Sequence, residues 1–380
     1  MRIDVIGAAL LCLVGGAAAA TEPPLPAEHL TLEQLGPKSP HWVYAVDEAF
    51  FNETDARIHL FDGDTYRRLG QIDAGFTPGV NLSPDGATTV IATTYFSRGS
   101  HGERLDVVEF TDNATLAPSG EIIIPPKRAN TLQSYFNLAY SSDARFLYVA
   151  YLTPASSFGV LDPAKKSVIG EIDTAGCVLV IPYGPNRVSS LCDSGRLLTV
   201  TLDAEGHEAS RALSEPFFDA DTDPVFVQGV PTGDGYLFLS FLGEVHEIDF
   251  TAAQPAFRAP WSILSAVEKG RWRPGGQSVA AVHRRLDRLY VQMHRGGEGT
   301  HKDGGTEIWV FDLKSHRRIA RWPLAPKLDP VIAIQVSQDD APIVFAATDK
   351  SDVAVFDALT GHLRHLERHL GQTTWFFLNP

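Results

Sequence analysis

Glu307–Leu324 reads EIWVFDLKSHRRIARWPL. A short apolar run ends in Asp312, and Lys314, Ser315 and His316 supply turn chemistry. An alternating segment then returns through Ile319 to Trp322. That is the pattern of a β-hairpin whose acid closes the turn. It recurs in RIHLFDGDTYRRLGQID (57–73), LDVVEFTDNATLAPSGEIII (105–124), FGVLDPAKKSVIGEID (158–173), LLTVTLDAEGHE (197–208), EVHEIDFTAAQPAF (244–257) and VAVFDALTGHLRHLE (353–367). Each unit follows a turn and a further short apolar strand, as in HWVYAVDEAF, SPDGATTVIATTY, SSDARFLYVAYL and QDDAPIVFAATD. A period of about 40 to 50 residues with four strands per unit is the signature of radial β repetition. The reading is an all-β chain, a seven-bladed β-propeller of four-stranded antiparallel blades over residues 41–380. The acids at the ends of these runs are read as turn residues, and the apolar residues beside them as blade cores. Only PWSILSAVEKGRW (260–272) carries a helical pattern.

The ends of the chain have a different composition. Residues 1–20 hold one Arg2, an apolar run from Val5 and a terminal Ala18-Ala19-Ala20. The run is about 24 Å long as a helix, short of a bilayer core of about 30 Å, and it ends at small residues. It is expected to be a cleaved secretory signal, with no other segment able to span a membrane. Residues 21–40, TEPPLPAEHLTLEQLGPKSP, form a Pro-rich arm. The formal net charge of −14 excludes the basic footprint that nucleic acid or anionic lipid requires.

Cys12 lies within the signal, which leaves Cys177 and Cys192 in an exported chain. An even pair in an oxidising compartment points to a disulfide. CVLVIPYGPNRVSSLC places the two at the ends of one hairpin, directly opposite if the turn centres on Gly184–Pro185.

Catalytic signatures are missing from the sequence. It has no P-loop, no dinucleotide fingerprint, no GxSxG elbow, no HExxH and no CxxC. The stretch HRGGEGTHKDGG carries His294, His301 and Lys302 among five glycines. The histidines are spaced more loosely than zinc ligand pairs usually are, and no thiol or third imidazole is close in sequence. A long glycine-punctuated connection between two strands is the expectation. His283 is read as a structural histidine, and His362 and His365 as solvated. Phe50 and Phe51 are adjacent after the first strand. Neighbours in an extended chain face opposite ways, so at least one is expected to be exposed.

Several stretches carry a resemblance: TTYFSRGSHGERLDVVEF (93–110), IIIPPKRANTL (122–132), AGCVLVIPYGPNRVSSLCDSGRLLTV (175–200), RWRPGGQSVAAVHRRLDRLYVQMHRGGEGTHKDGGTEIWVFD (271–312) and VSQDDAPIVFA (336–346). The chain resembles the heavy (alpha) subunit of quinoprotein amine dehydrogenases from about Trp42 to its end. The resemblance implies a periplasmic propeller in a two-heavy, two-light heterotetramer. In that family a small Cys-rich light subunit carries tryptophan tryptophylquinone. Primary amine is oxidised there to aldehyde and ammonia, and electrons leave to a blue-copper protein, amicyanin or azurin. No cofactor, metal or catalytic residue is expected on this chain. PPKR, DVVE, GTHK and EIWV look closer to the aromatic (aralkylamine) branch than to the methylamine branch. The stretch matching Phe50 and Phe51 lines the substrate passage in that family, so these two are the expected channel residues. The competing readings are a stand-alone propeller hydrolase of the lactonase kind and a periplasmic binding module.

Overall fold

The repeat units fold as hairpins. In the computed structural model, which describes residues 33–131 and 133–379, Glu307–Asp312 pairs antiparallel with Arg317–Pro323. Asp312 Oδ1 accepts from Ser315 N at 2.8 Å and from Ser315 Oγ at 2.6 Å. The same carboxylate cap recurs at Asp62, Asp112, Asp162, Asp203, Asp249 and Asp357. Four residues after five of these acids stands a residue of positive φ: Tyr66, Leu116, Lys166, His316 and Gly361. A turn followed by one left-handed residue and a bulge is a favoured way to join antiparallel strands. The acids of FD, LD and ID are therefore turn caps, as the repeat implied.

The described strands form six antiparallel sheets, three of four strands, two of five and one of seven. The largest has seven strands and begins with the C-terminal strand Thr374–Leu378. It continues through β1 (Trp42–Asp47), β2 (Ala56–Asp62), β3 (Arg67–Leu82), β4 (Thr88–Phe96), β5 (Arg104–Asp112) and β6 (Pro118–Ile124). β3 serves two partners. Arg67 to Gly75 pairs with β2, and Phe76 to Leu82 pairs with β4. The break falls at Thr77, whose φ is +40°, followed by Pro78.

The core lies between sheets. Val90, Val108 and Ile122 of the first sheet pack with Leu138 and Val149 of the second. Tyr148, Val160, Val180 and Val188 join the second to the third. Leu179, Ile181, Phe238 and Ile248 join the third to the fourth. Leu237, Val245, Val291 and Trp309 join the fourth to the fifth, and Tyr290, Ile308, Val344 and Phe356 the fifth to the sixth. The series returns on itself, because Val43, Phe61 and Phe377 of the first sheet pack with Phe345 and Val355 of the last. Each fully buried side chain of this kind contributes about 1.5–3 kcal/mol relative to exposure. The chain's two ends meet in the same place, with Tyr44 opposite Leu378 and Asp47 opposite Thr374.

Residues 1–32, which hold the expected signal and most of the arm, lie outside the described residues. The arm's last residues lie on the sheets: Leu35 N donates to Ala114 O at 2.7 Å, and the Leu35 side chain packs against the cluster that holds Trp42, Tyr44 and Phe376. One expectation is corrected. Residues 260–272 form no helix. Trp261 pairs with Val245 as part of a two-residue strand, Ser265 to Arg271 make tight turns, and Gly270 sits at φ +80°. The apolar spacing there serves Ile263 and Leu264, which pack into the fourth–fifth sheet core. Tertiary burial overrides a helical pattern of this length.

Candidate functional site

Cys177 and Cys192 are bonded and stand opposite one another across their hairpin. The turn is one residue longer than the sequence implied, since Tyr183 faces Arg187. A register shift near Leu179, at φ +72°, restores the pairing of the two cysteines.

The HRGGEGTHKDGG stretch connects two strands of the fifth sheet. His294 is buried, and its Nε2 lies 2.9 Å from Thr300 Oγ1. Burial holds its imidazole below the ordinary value, and Arg273 acts in the same direction. His301 stacks on Phe241 with centroids 4.0 Å apart. His294 ties the loop to its own strand, and His301 ties it to the turn that follows the fourth sheet's Gly235–Leu239 strand. Among the described residues no group of three or more His, Cys, Asp or Glu is placed to hold a metal. His283 is a core residue: Nε2 is 2.9 Å from Asp339 O, and Nδ1 accepts from Leu286 N at 3.1 Å. His362 is exposed, but His365 stacks on Tyr66 with centroids 4.1 Å apart, so the solvated reading holds for the first only.

Phe50 and Phe51 form a projecting tip where the chain leaves β1. Phe51 is 91% exposed and Phe50 48%. Phe51 meets Phe50 edge-on at 5.4 Å, and Phe50 stacks on Trp375 of the C-terminal strand at 5.6 Å. The buried Asp47 carboxylate pins the tip from below. It accepts from Ala49 N at 3.0 Å, Gln372 N at 2.7 Å and Thr373 N at 2.6 Å. Burial pushes its pKa up, but His59 and these three amides outweigh that and hold it below the ordinary carboxylate value. Gly371 is required here, because a Cβ would stand 2.3 Å from Asp47 Oδ2.

A second buried layer lies beside it. Glu48 is 2% exposed, and neither carboxyl oxygen has a hydrogen-bond partner among the described residues. Burial pushes its pKa well up; the Arg128 charge opposes this, and Asp47 and Glu53 add to it. Arg128 is itself buried, and burial pulls its pKa down to about 10 against the charges of Asp106 and Glu48. Its guanidinium donates to Phe76 O at 2.6 Å, Thr77 O at 2.7 Å and Thr94 Oγ1 at 3.0 Å. Arg128 thus fastens the carbonyls at the break in β3, where the chain passes from β2 to β4. The sequence offered PPKR as a motif without this role, and Asp47, Glu48 and Trp375 carried no signal that marked them as supports.

Two tryptophans of the core are neighbours. Trp272 and Trp309 have centroids 5.1 Å apart, with planes at 50°. Both are buried, with Arg318 and Arg321 over the Trp309 ring. They fill space in the core shared by the fourth and fifth sheets.

The family model described as methylamine dehydrogenase heavy chain (MADH) matches residues 40–377. The methylamine dehydrogenase heavy chain of Paracoccus versutus is 30% identical over 323 residues, covering 84% of this chain and 74% of that one. The heavy chain of the same name from Methylophilus methylotrophus is 27% identical over 332 residues, covering 84% and 78%. Among solved structures, dihydro-heme d1 dehydrogenase NirN in complex with DHE superposes with a TM-score of 0.56 at 15% identity, over 92% of this chain and 77% of that one. Kuenenia stuttgartiensis hydrazine synthase gives 0.52 at 15% identity, over 87% and 99%. These last two show a shared fold alone. With the family model spanning nearly the whole described chain, and a relative at 30% identity beside it, this chain belongs to the methylamine dehydrogenase heavy chain family.

Proposed function

We propose that this chain is the non-cofactor-bearing heavy subunit of a periplasmic amine dehydrogenase, exported by a cleaved signal. Its four-stranded groups form a closed propeller of seven blades, with β3 shared between the first two. It pairs with a Cys-rich light subunit as a two-heavy, two-light heterotetramer. The tryptophan tryptophylquinone of the light subunit supplies the two-electron oxidation of a primary amine to aldehyde and ammonia, and a blue-copper protein, azurin or amicyanin, takes the electrons. The observation that carries this reading is the family match over residues 40–377.

This chain's own contribution is to hold an apolar wall. Asp47 and Trp375 fix the tip, and the tip presents Phe51 to whatever docks against it. An exposed phenylalanine beside a half-exposed one is an unusual surface for an exported acidic protein, and partner burial resolves it. Phe50 and Phe51 line the route by which the amine reaches the light subunit and select its side chain. The stretches PPKR, DVVE, GTHK and EIWV favour an aralkyl amine, whereas the relatives are named for methylamine. Relative kcat/KM for methylamine and 2-phenylethylamine in the purified complex tests this choice. A methylamine preference would overturn the aralkyl part and leave the subunit assignment standing. A complex that oxidises no primary amine would overturn both.

A further inference from the structure

A cavity of about 610 Å³ lies at the end of the molecule away from Phe51. The register of the first sheet shows this. Leu378 and Asn379 line the cavity and Leu378 faces Tyr44, whereas the tip leaves the sheet beyond Asp47, which faces Thr374. Every sheet contributes to the wall, through Leu82, Tyr140, Pro182, Val230, Val282 and Gln335. The volume falls within the range of small-molecule sites, which are concave, largely apolar and fitted with a few polar groups.

The apolar part is aromatic. Tyr135, Phe136, Tyr236 and Phe377 line it. Tyr135 meets Phe136 at 4.6 Å, and Phe136 meets Tyr236 edge-on at 5.3 Å. Such walls accept a ring.

The polar part can be counted. Asp339 is the carboxylate of the wall, and both its oxygens are taken: Oδ1 by Ser337 Oγ at 2.6 Å, Oδ2 by Ala341 N at 3.0 Å and by His41 Nε2 at 3.2 Å. Asn81 gives its amide to Leu138 O and takes Leu82 N. Gln335 gives its amide to Phe377 O and takes Val336 N. Gln338 donates to Val282 O and Val336 O and takes Arg284 N. Tyr236 donates to Pro182 O at 3.4 Å. Asn379 gives its amide to Val336 O at 2.6 Å, and its buried Oδ1 has no partner among the described residues. The wall's one cation is also uncommitted. The Arg284 guanidinium makes no hydrogen bond or ion pair among the described residues, and the Tyr135 and Tyr140 hydroxyls make no hydrogen bond there. Arg284 lines the cavity, and its charge acts against the burial that pushes the Tyr236 phenol up to about 12. The carboxylate of the wall, Asp339, is engaged and the guanidinium of Arg284 is not, so the spare charge of the cavity is positive and matches an anion, not an ammonium ion.

We infer that this cavity binds a small organic carboxylate with an aromatic or ring-sized apolar body, the carboxylate held by Arg284 and the ring against Tyr135, Phe136 and Tyr236. The site is separate from the Phe51 end and does not depend on the amine dehydrogenase reading. Isothermal titration of the purified protein, in its complex, with phenylacetate tests it. Phenylacetate is expected to bind saturably. Arg284→Gln, a change at an exposed side chain, should weaken binding roughly tenfold or more, as loss of a charge-assisted hydrogen bond does. Tyr135→Phe should weaken it less. 2-Phenylethylamine and inorganic phosphate should not compete for the site, the first lacking the anion and the second the ring. No saturable binding of phenylacetate, unchanged affinity in Arg284→Gln, or equal competition by the amine or by phosphate would overturn the assignment. Amine turnover can be present or absent in each case, so failure here is distinguishable from failure of the proposed function.

Discussion

Phe50 lies on Trp375 with ring centroids 5.6 Å apart and planes 25° from parallel. One ring belongs to the segment leaving the first strand, the other to the strand that ends the chain. The tip that carries Phe51 therefore rests on the pairing of the C-terminal strand with β1. Offset aromatic pairs contribute about 0.5–1.5 kcal/mol beyond area burial. Trp375→Ala should thus loosen the tip. Limited proteolysis between Ala49 and Asn52 checks this, with faster cleavage expected in the variant.

Phe51→Ala removes a side chain that is 91% exposed in the isolated chain. Stability of the free subunit should change by less than about 0.5 kcal/mol. In the assembled complex the ratio of kcat/KM for short against aromatic amines should shift about tenfold or more, the effect of removing apolar pocket wall. An intact complex with an unchanged substrate profile would take Phe51 out of the passage.

Asp47 and Glu48 are adjacent, buried and shifted in opposite directions. The Asp47 carboxyl is depressed, so its stabilisation is present above the unfolded value of about 3.8–3.9 and fades as pH falls through the folded value. Asp47→Asn should cost about 3 kcal/mol at neutral pH, because three backbone amides lose a charged acceptor. The Glu48 carboxyl is raised, so the folded state favours its protonated form. Stability from this group is full below the unfolded value, about 4.5, and declines as pH rises. Glu48→Gln should therefore be neutral near pH 4 and stabilising at pH 7. Urea denaturation at the two pH values reads both signs.

The disulfide closes a loop with a sequence separation of 15. Loss of such a closure costs about 3 kcal/mol in the chain-entropy model. Cys177→Ser with Cys192→Ser should lower stability by roughly that amount. The double variant should still assemble, since the bond lies within one hairpin of the third sheet and far along the chain from the Phe51 tip. A change near zero in the urea midpoint would show that the hairpin ladder alone sets that sheet.

Much of the fold was legible because the repeat couples two local signals. Asp312 caps its turn through Ser315, and the strand alternation on each side fixes which face is buried; both are written in neighbouring residues. The helix expected at 260–272 misled for the opposite reason: Ile263 and Leu264 are spaced as on a helix, yet they answer to a core formed by strands distant in sequence. The exposure of Phe51 was legible from the pairing of two phenylalanines. Its supports were not, since Asp47 reaches Thr373 and Arg128 reaches Thr77 across long stretches of chain. The fully buried Glu48 was likewise hidden, because a carboxylate in VDEAFF reads as solvated until the packing above it is known.

The most direct test of the subunit assignment is purification of this chain expressed with and without the Cys-rich light subunit, followed by a primary-amine-dependent assay that reduces oxidised blue-copper protein. The chain alone should be colourless and inactive. Expressed together, the two should co-purify in equal amounts, absorb in the visible and turn over amine. Turnover by the lone chain, or failure of a light subunit to co-purify, would contradict the assignment.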